Sequence, residues 1–208
     1  MHEVSRKSIE LSGELPDLVV VDVETTGGRS PQHRVIEVGA VKLRDGAEHR
    51  SLATLIHPRR SLPPFITSLT GITPAMLARA PYFEEIADVL WDFMDGAVFC
   101  AHNATFDARF LRAEFERYGT VPPPLKDDYP ILCTMRLGRR LLPELTDHRL
   151  DTIAAYMGLS FTRRHRALGD ALVTAQIMIN FIDMMKERGI TDLKRILKLQ
   201  RSRIPRPV

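Results

Sequence analysis

The chain has 208 residues, 44% of them hydrophobic and 26% charged, which excludes a disordered chain and fits one globular domain that can bury a core. Its formal net charge of +3 is too small to indicate a nucleic-acid partner by itself. We find no signal peptide, no apolar segment of membrane-spanning length and only two cysteines, Cys100 and Cys133, in distant apolar settings, so we expect a cytoplasmic protein with no membrane partner and no disulfide scaffold.

The first part of the chain predicts three strands before any helix. Residues 1–16 are polar and patternless, which predicts a flexible leader. Apolar or alternating runs then predict three β-strands, which join as an antiparallel meander, at 17–23, 34–43 and 48–57. A loop rich in proline is predicted at 58–64, and a short helix with proline in its first turn at 74–79.

The second part predicts helices around one further strand. Apolar residues at helical spacing predict an amphipathic helix at 83–94, and the apolar run 97–101 predicts a buried strand. Three more helices are predicted at 104–118, 150–157 and 167–185. The order β-β-β-α-β-α-α-α predicts an α/β fold, with a mixed sheet covered by helices. We place the main domain at 17–183 and a basic C-terminal helix or tail at 184–208.

Two carboxylates stand where the first strand ends. Alternation along a strand puts Asp22 and Glu24 on one face, and neighbouring anions are costly unless a cation such as Mg²⁺ offsets them. For this tripeptide alone, an idle solvent-exposed pair is the favoured alternative. The following Thr25, Thr26 and Gly27 change the balance, because glycine lets the backbone approach a ligand closely and threonine offers hydrogen-bond donors.

Two further polar segments lie where a helix begins. In AHNATFD, Asp107 falls in the first turn of a helix, where an acid can simply complement the helix dipole. This explanation leaves His102 and Asn103 without a role. In HRALGD, His165 precedes a helix that carries Asp170. Taken alone, this pair is better explained by a surface histidine and a capping acid.

In this order and at these separations, VDVETTG, AHNATFD and HRALGD resemble the three exonuclease motifs of the DnaQ-like family, in its DEDDh branch. This family includes the proofreading epsilon subunit of bacterial DNA polymerase III, ribonuclease T and oligoribonuclease. The resemblance covers 17–182 and implies a ribonuclease-H-like fold, in which helices flank a mixed five-stranded sheet and parallel strands extend the antiparallel meander. It also implies a metal-dependent 3′–5′ exonuclease that releases nucleoside 5′-monophosphates from DNA or RNA.

Carried over position by position, the resemblance implies that four carboxylates hold two Mg²⁺ or Mn²⁺ ions: Asp22, Glu24, Asp107 and Asp170. Asp22 would bridge both ions, while Glu24 and Asp170 complete the site that carries the attacking water and Asp107 anchors the second ion. One ion would lower the pKa of water while the other stabilises the leaving 3′ oxygen. His165 would be the general base, a role that suits a side chain titrating near neutral pH.

The resemblance also implies contacts to the substrate. The backbone around Thr25 and Thr26 would hold the terminal nucleotide, and Phe106 would pack near its sugar. The segment 69–73 resembles a family feature in which apolar residues wedge against terminal bases, with Thr70 in a form closer to the exonuclease domains of Gram-positive replicative polymerases. The predicted substrate-binding residues are Thr25, Thr26, Gly27, Thr70, Ile72, His102, Asn103 and Phe106.

Several alternatives stay open. The runner-up is an inactive nucleic-acid-binding or polymerase-associated module, against which the intact carboxylates and histidine argue; an RNA-trimming exoribonuclease is another. The basic residues after Lys186 can neutralise phosphates, but a basic run is equally a solvated face. We expect a free-standing or loosely associated nuclease acting on a single-stranded 3′ end, with a DNA polymerase as a candidate partner. The sequence does not separate DNA from RNA and leaves the oligomeric state open.

Overall fold

The computed structural model of the chain describes residues 13–203, so 1–12 of the predicted leader and 204–208 of the tail lie outside the described residues. The strands are β1 Leu18–Thr25, β2 Val35–Arg44, β3 Ala47–Leu55, β4 Val98–Ala101 and β5 Ile131–Cys133. They form one sheet in the order β3-β2-β1-β4-β5. The first three pair antiparallel, and β4 and β5 run parallel to β1. The predicted mixed five-stranded sheet is confirmed.

Helices pack on both faces of this sheet. Their bounds are α1 Pro64–Thr70, α2 Pro74–Leu77, α3 Phe83–Met94, α4 Ala104–Tyr118, α5 Thr134–Leu141, α6 Leu150–Tyr156, α7 Ala167–Glu187 and α8 Leu193–Arg201. Sequence patterning misses α1, α5 and the position of β5. β5 is too short to show a period, and α5 contains three arginines and a glycine among few apolar residues. The predicted loop at 58–64 ends where α1 begins, because proline is tolerated at the first helical position.

β1 separates two apolar layers. Leu18 and Val20 point into the layer that α5, α6, α7 and α8 complete. Val19 and Val21 point into the opposite layer, with α3 and α4. The two predicted carboxylates at the end of β1 continue the alternation of Leu18 and Val20, and they therefore lie on the α7 face of the sheet.

α7 is the central helix of its layer. This helix is long enough and apolar enough to cross a membrane, whereas the sequence was expected to contain no segment of that length. Its residues are largely buried within the domain, however, against β1 and β2. The apolar character of α7 is therefore that of a core helix in a globular domain.

The basic C-terminal region is an ordered part of the domain as far as the structure describes it. α7 continues to Glu187, through the position at which the sequence places the start of the tail. The side chain of Gln200 in α8 is buried, accepts from the Cys133 N–H at 2.7 Å and donates to the Ile131 carbonyl at 3.0 Å. α8 thereby covers the open edge of β5, which would otherwise present unpaired backbone groups.

Candidate active site

β1 and β4 separate at the end of the sheet that carries Asp22. Their parallel pairing joins only Leu18–Val20 to β4, because the chain then leaves β4 and enters α4. The backbone N–H of Val23 consequently has no partner on that strand and donates to Asp107 Oδ1 at 3.3 Å. Asp107 lies in the first turn of α4, as predicted, and this bond brings it to the edge of β1.

Asp170 reaches the same place from α7. Asp22 pairs across the sheet with Gly39 of β2, and opposite residues of an antiparallel pair point to the same face. A Cβ atom on Gly39 would lie 2.3 Å from the backbone of Ala167 and Leu168. Glycine therefore lets the first turn of α7 rest directly on β2, and Asp170 in that turn comes close to Asp22.

The four carboxylates share one electrostatic environment. Burial raises the pKa of Asp22 well above its usual value, and repulsion by Asp107, Asp170 and Glu24 raises it further. Burial is also the main cause that raises the pKa of Glu24 to about 7. It raises the pKa of Asp107 to about 7 as well, although backbone N–H groups oppose that shift, and it raises the pKa of Asp170. These carboxyl groups resist being ionised together. A nearby cation would strongly favour their ionised forms.

His165 completes the cluster from the turn before α7. Its φ is +57°, in the left-handed region that few residues other than glycine adopt. A ligand atom from each of Glu24, His165 and Asp170 can be chosen so that all three lie within 4.8 Å of one another. The structure thus brings the five predicted catalytic residues to one end of the sheet.

Two arginines of the same turn form internal ion pairs. They belong to the basic segment 163–166, RRHR. Arg164 bonds the carboxylates of Asp170 and Asp151 and packs over the Phe161 ring. Its positive charge opposes the upward pKa shifts of Asp170 and Asp22, so it neutralises part of the acidic cluster.

Arg166 pairs with a glutamate that sequence reasoning did not select. Glu37 is buried in β2 opposite Glu24, and it accepts from Arg166 Nε at 3.0 Å and from the Ala167 N–H at 2.9 Å. It therefore caps α7 and fixes the turn that holds His165. Two signals mark these supports in the sequence, a charged residue inside an apolar strand and the strand glycine Gly39.

The donor set of the cluster fits divalent cations. All four carboxylates offer oxygen atoms, the donors that Mg²⁺ and Mn²⁺ prefer. Asp170 Oδ1 is buried and has no hydrogen-bond partner among residues 13–203, although buried polar atoms ordinarily have one. A cation at this oxygen would satisfy it and would offset the repulsion among the carboxylates.

The predicted substrate residues after β1 use their side chains internally. The Thr25 hydroxyl donates to the Gly27 carbonyl at 2.8 Å, and Thr26 Oγ1 accepts from the Arg34 N–H at 3.0 Å. A Cβ atom on Gly27 would lie 2.4 Å from the His33 ring. These residues shape the turn beside Glu24, and what remains for a substrate is their backbone, as the resemblance implies.

In the segment 69–73, the side chains of Thr70 and Ile72 cannot make the predicted contacts with a substrate. The Thr70 hydroxyl is buried, donating to the Ile66 carbonyl at 2.9 Å and accepting from the Ile72 N–H at 3.1 Å, and Ile72 is fully buried. Both side chains stabilise the end of α1, because its last turn packs inward. The exposed apolar side chains of α1 are Phe65 and Leu69, at 62% and 50%, so an apolar wedge here would consist of these two.

His102 connects β4 to α5. Its Nδ1 lies 3.0 Å from Thr134 Oγ1, and its carbonyl accepts from the Met135 N–H at 3.2 Å. Burial lowers the pKa of His102 to about 4, so the ring is neutral at physiological pH. The Nε2 atom of the same ring is buried and has no hydrogen-bond partner among residues 13–203, so the substrate contact expected of His102 stays a prediction.

Asn103 and Phe106, which flank the start of α4, face open space. With Arg29 and Arg109 they line a cavity of about 360 Å³ between the turn after β1 and the start of α4. A larger cavity of about 590 Å³ lies at the other end of β1, near Leu18, and contains none of the predicted residues. The smaller cavity is therefore the one that predicted substrate-binding residues line.

The chain has clear relatives among known proteins. The RNase_T family model, described as an exonuclease, matches residues 19–178. The PolC-type DNA polymerase III of Caldanaerobacter subterraneus subsp. tengcongensis is 35% identical over 180 residues, which are 86% of this chain and 12% of that protein. A Mycobacterium tuberculosis protein named for exonuclease and endonuclease activity is 40% identical over 190 residues, 87% of this chain and 29% of that protein.

A solved structure, exonuclease X in complex with 5′-overhanging duplex DNA, matches with a TM-score of 0.65 and 27% identity over 86% of this chain and 99% of that one. The chain belongs to the exonuclease family, in the DEDDh branch whose three motifs it carries. The predicted family and its ribonuclease-H-like fold are therefore confirmed. Members of this family are nucleases, which hydrolyse phosphodiester bonds. The chain itself spans only 12% to 29% of the length of these two curated relatives.

Proposed function

We propose that this chain is a 3′–5′ exonuclease that removes nucleoside 5′-monophosphates from single-stranded 3′ ends of DNA. The observation that carries the proposal is the convergence of four carboxylates and one histidine, with a buried carboxylate oxygen of Asp170 left unpartnered. Within the part of the chain described, Arg164 pairs with the other oxygen of this carboxylate, and no group donates to Oδ1. The arrangement therefore suits a charged, metal-assisted reaction.

Asp22, Glu24, Asp107 and Asp170 are the residues proposed to hold two Mg²⁺ or Mn²⁺ ions. Asp22 would be the central member of this set, because its pKa is raised by all three of the other carboxylates. When bound, the ions supply positive charge that stabilises charge developing on the phosphate oxygens and that activates water.

The chain's own residues orient the reactants. His165 is the proposed general base: its ring lies at the carboxylate cluster and can accept a proton from the attacking water. Glu37 and Arg166 hold the turn that presents this ring. The turn after β1 and the cavity lined by Asn103 and Phe106 offer the space for the terminal nucleotide.

Two comparisons support DNA as the substrate. The PolC-type relative is a DNA polymerase, and exonuclease X was solved with duplex DNA. The polymerase relative also supports a DNA polymerase as a partner, in a loose association or within a longer protein. Both cysteines are free and buried, which agrees with the proposed cytoplasmic location.

The proposal is tested by digesting DNA and RNA oligonucleotides of one sequence, labelled at either end. We expect mononucleotide release from the 3′-labelled strand, a ladder from the 5′-labelled strand, no product in EDTA, and faster hydrolysis of DNA. Binding without metal-dependent hydrolysis would favour the inactive-module alternative, and faster hydrolysis of RNA would favour the exoribonuclease.

The role of His165 has its own test. His165→Asn should lower kcat by about 10²–10⁴-fold, the usual contribution of general acid–base catalysis, while Mn²⁺ still raises the melting temperature. His49→Asn, on the exposed face of β3, serves as the control and should leave kcat unchanged. An unaltered rate in His165→Asn would remove the histidine from the mechanism.

A further inference from the structure

Two helices at the β5 edge of the sheet carry basic side chains and no acidic ones. α5 has the sequence TMRLGRRL and α8 the sequence LKRILKLQR. Each helix buries an apolar stripe, with Leu137 and Leu141 in α5 and Ile196 and Leu197 in α8, so the cations remain on the outer side. The α5–α8 basic surface is defined here as Arg136, Arg139, Arg140, Lys198, Arg201 and Arg203.

The two helices form one continuous surface. Arg140 donates to the Arg136 carbonyl at 2.8 Å and to the Ser202 carbonyl at 2.7 Å, which joins α5 to the end of α8. Gln200 holds the same end of α8 on β5. Burial lowers the pKa of Arg140, and so does the proximity of Arg139 and Arg136. The guanidinium groups therefore lie close enough to repel one another.

These cations lack the counter-ions that arginines have elsewhere in the molecule. Arg34 pairs with Glu114, Arg44 with Asp17 and Arg166 with Glu37. Among residues 13–203, no ion pair includes a member of the α5–α8 basic surface. A concentration of unneutralised like charge attracts a polyanion.

The surface begins beside the cavity that is proposed to hold the terminal nucleotide. Thr134, the first residue of α5, contacts the ring of His102. Arg136 Nη2 lies 3.5 Å from Thr105 Oγ1, and Thr105 lines the same cavity as Asn103 and Phe106. From there α5 extends about 12 Å at 1.5 Å per residue, far enough to follow a strand across several phosphates.

We propose that the α5–α8 basic surface binds the phosphate backbone of the substrate strand, on the 5′ side of the nucleotides held in the active site. The inference rests on the proposed exonuclease function, because it takes the strand's 3′ end to lie at the carboxylates. The cations contact phosphates and carry no base preference. Their contribution is therefore lost for substrates too short to reach α5.

The test measures binding of two fluorescent single-stranded oligothymidylates. One has about twelve nucleotides, within the range of lengths that single-strand sites cover, and the other has about three, below that range. EDTA prevents hydrolysis during the measurement. The surface variant combines Arg139→Gln, Lys198→Gln and Arg201→Gln. Three lost phosphate contacts should reduce the salt dependence of binding by about 0.7 each in log–log slope. Raising the salt from about 50 to about 200 mM weakens binding of the longer strand. The fold loss of affinity should therefore be about twentyfold smaller in the variant than in wild type.

A control variant removes the same charge from exposed cations elsewhere, by Lys126→Gln, Lys186→Gln and Arg188→Gln. Arg188 follows the end of α7 that is remote from Asp170, about 30 Å away along the helix. The control should bind both strands as wild type does. In metal-containing buffer, kcat/KM for the short strand should be equal in all three proteins.

An unchanged salt slope in the surface variant, or the same change in the control, would overturn the inference. That result is also the one expected if the surface serves an acidic protein partner instead of a polynucleotide. Failure of the proposed function is recognised separately, since wild type would then hydrolyse neither strand even with metal, whatever the binding data in EDTA.

Discussion

The molecule holds two clusters of like charge, and they differ in burial. The carboxylates at the end of β1 include Asp107 and Asp170, which are 4% and 3% exposed, and burial raises their pKa values. The cations of the α5–α8 basic surface are mostly exposed. Repulsion among exposed charges is screened by water and salt, whereas buried charges are screened much less. The acidic cluster should therefore behave as one cooperative unit, and the basic surface as a sum of small independent contributions.

The largest expected effect tests this cooperativity at the carboxylates. Asp22→Asn and Asp170→Asn should each lower kcat about a thousandfold, because losing one cation ligand forfeits several kcal/mol of transition-state stabilisation. The double variant should be little worse than either single one, as expected of residues that act as a unit. Asp17→Asn, just before the start of β1, is the control and should retain normal kcat. Multiplying losses in the double variant would mean that the two carboxylates act separately.

The next effect concerns the contact that builds the cluster. Gly39→Ala places a Cβ atom against the backbone of α7, and overpacking of this kind costs about 3 kcal/mol. A displaced Asp170 should also lower kcat about a hundredfold, since misplacement by about 1 Å has this effect. Chemical denaturation and steady-state kinetics measure the two changes. Gly28→Ala, where no atom lies within 4 Å of the new Cβ, should change stability little; equal changes in both variants would exclude the close-approach explanation.

A smaller effect is the pH dependence of stability in EDTA. Burial raises the pKa of Glu24 and of Asp107 to about 7, and burial and the neighbouring carboxylates raise the pKa of Asp22. Ionisation of this cluster in the folded protein therefore destabilises it as pH rises from about 4 through 7. Asp22→Asn removes one ionising group and relieves the others. Its stability relative to wild type should therefore increase across this range.

Taking the difference between the two proteins removes an opposing contribution from His102. Its pKa of about 4 lies below the usual value, so it adds stability as pH rises toward 6.5 in both proteins. Urea titrations in EDTA at several pH values measure the difference. A constant difference across this range would show that the carboxylates do not repel one another.

The smallest effect belongs to a single cation of the basic surface. Raising the salt from about 50 to about 200 mM weakens binding of a long oligonucleotide. In Arg201→Gln this fold loss should be about threefold smaller than in wild type, because one phosphate contact is removed. The effects of Arg201→Gln and Arg139→Gln should multiply in the double variant, as expected of independent exposed charges. Fluorescence anisotropy measures both. Strong non-additivity would show that the basic surface is as cooperative as the acidic cluster.

Local pattern predicts much of the fold but not all of its helices and strands. The meander, the helices at α3, α4 and α7 and the α/β class follow from periodicities of two and 3.6 residues. β5 and α5 do not, since three residues carry no period and an arginine-rich turn of helix resembles a loop. α8 was expected as a short basic helix, but its role as the cover of β5 depends on Gln200, whose partners are 67 and 69 residues away.

The site divides in the same way. Sequence alone determined that Asp22 and Glu24 share one face of a strand, and the ordered motifs identified Asp107, His165 and Asp170 as their companions. These inferences are possible because strand alternation and motif order are properties of the chain itself.

Only the tertiary structure decided how the cluster is held and which neighbours are free. Glu37 meets Arg166 across 129 residues, and Gly39 admits α7 by having no side chain. Thr70 and Ile72 are buried, so they leave any wedge to Phe65 and Leu69. Such contacts depend on packing between distant segments, and packing is a property that no local spacing of residue types records.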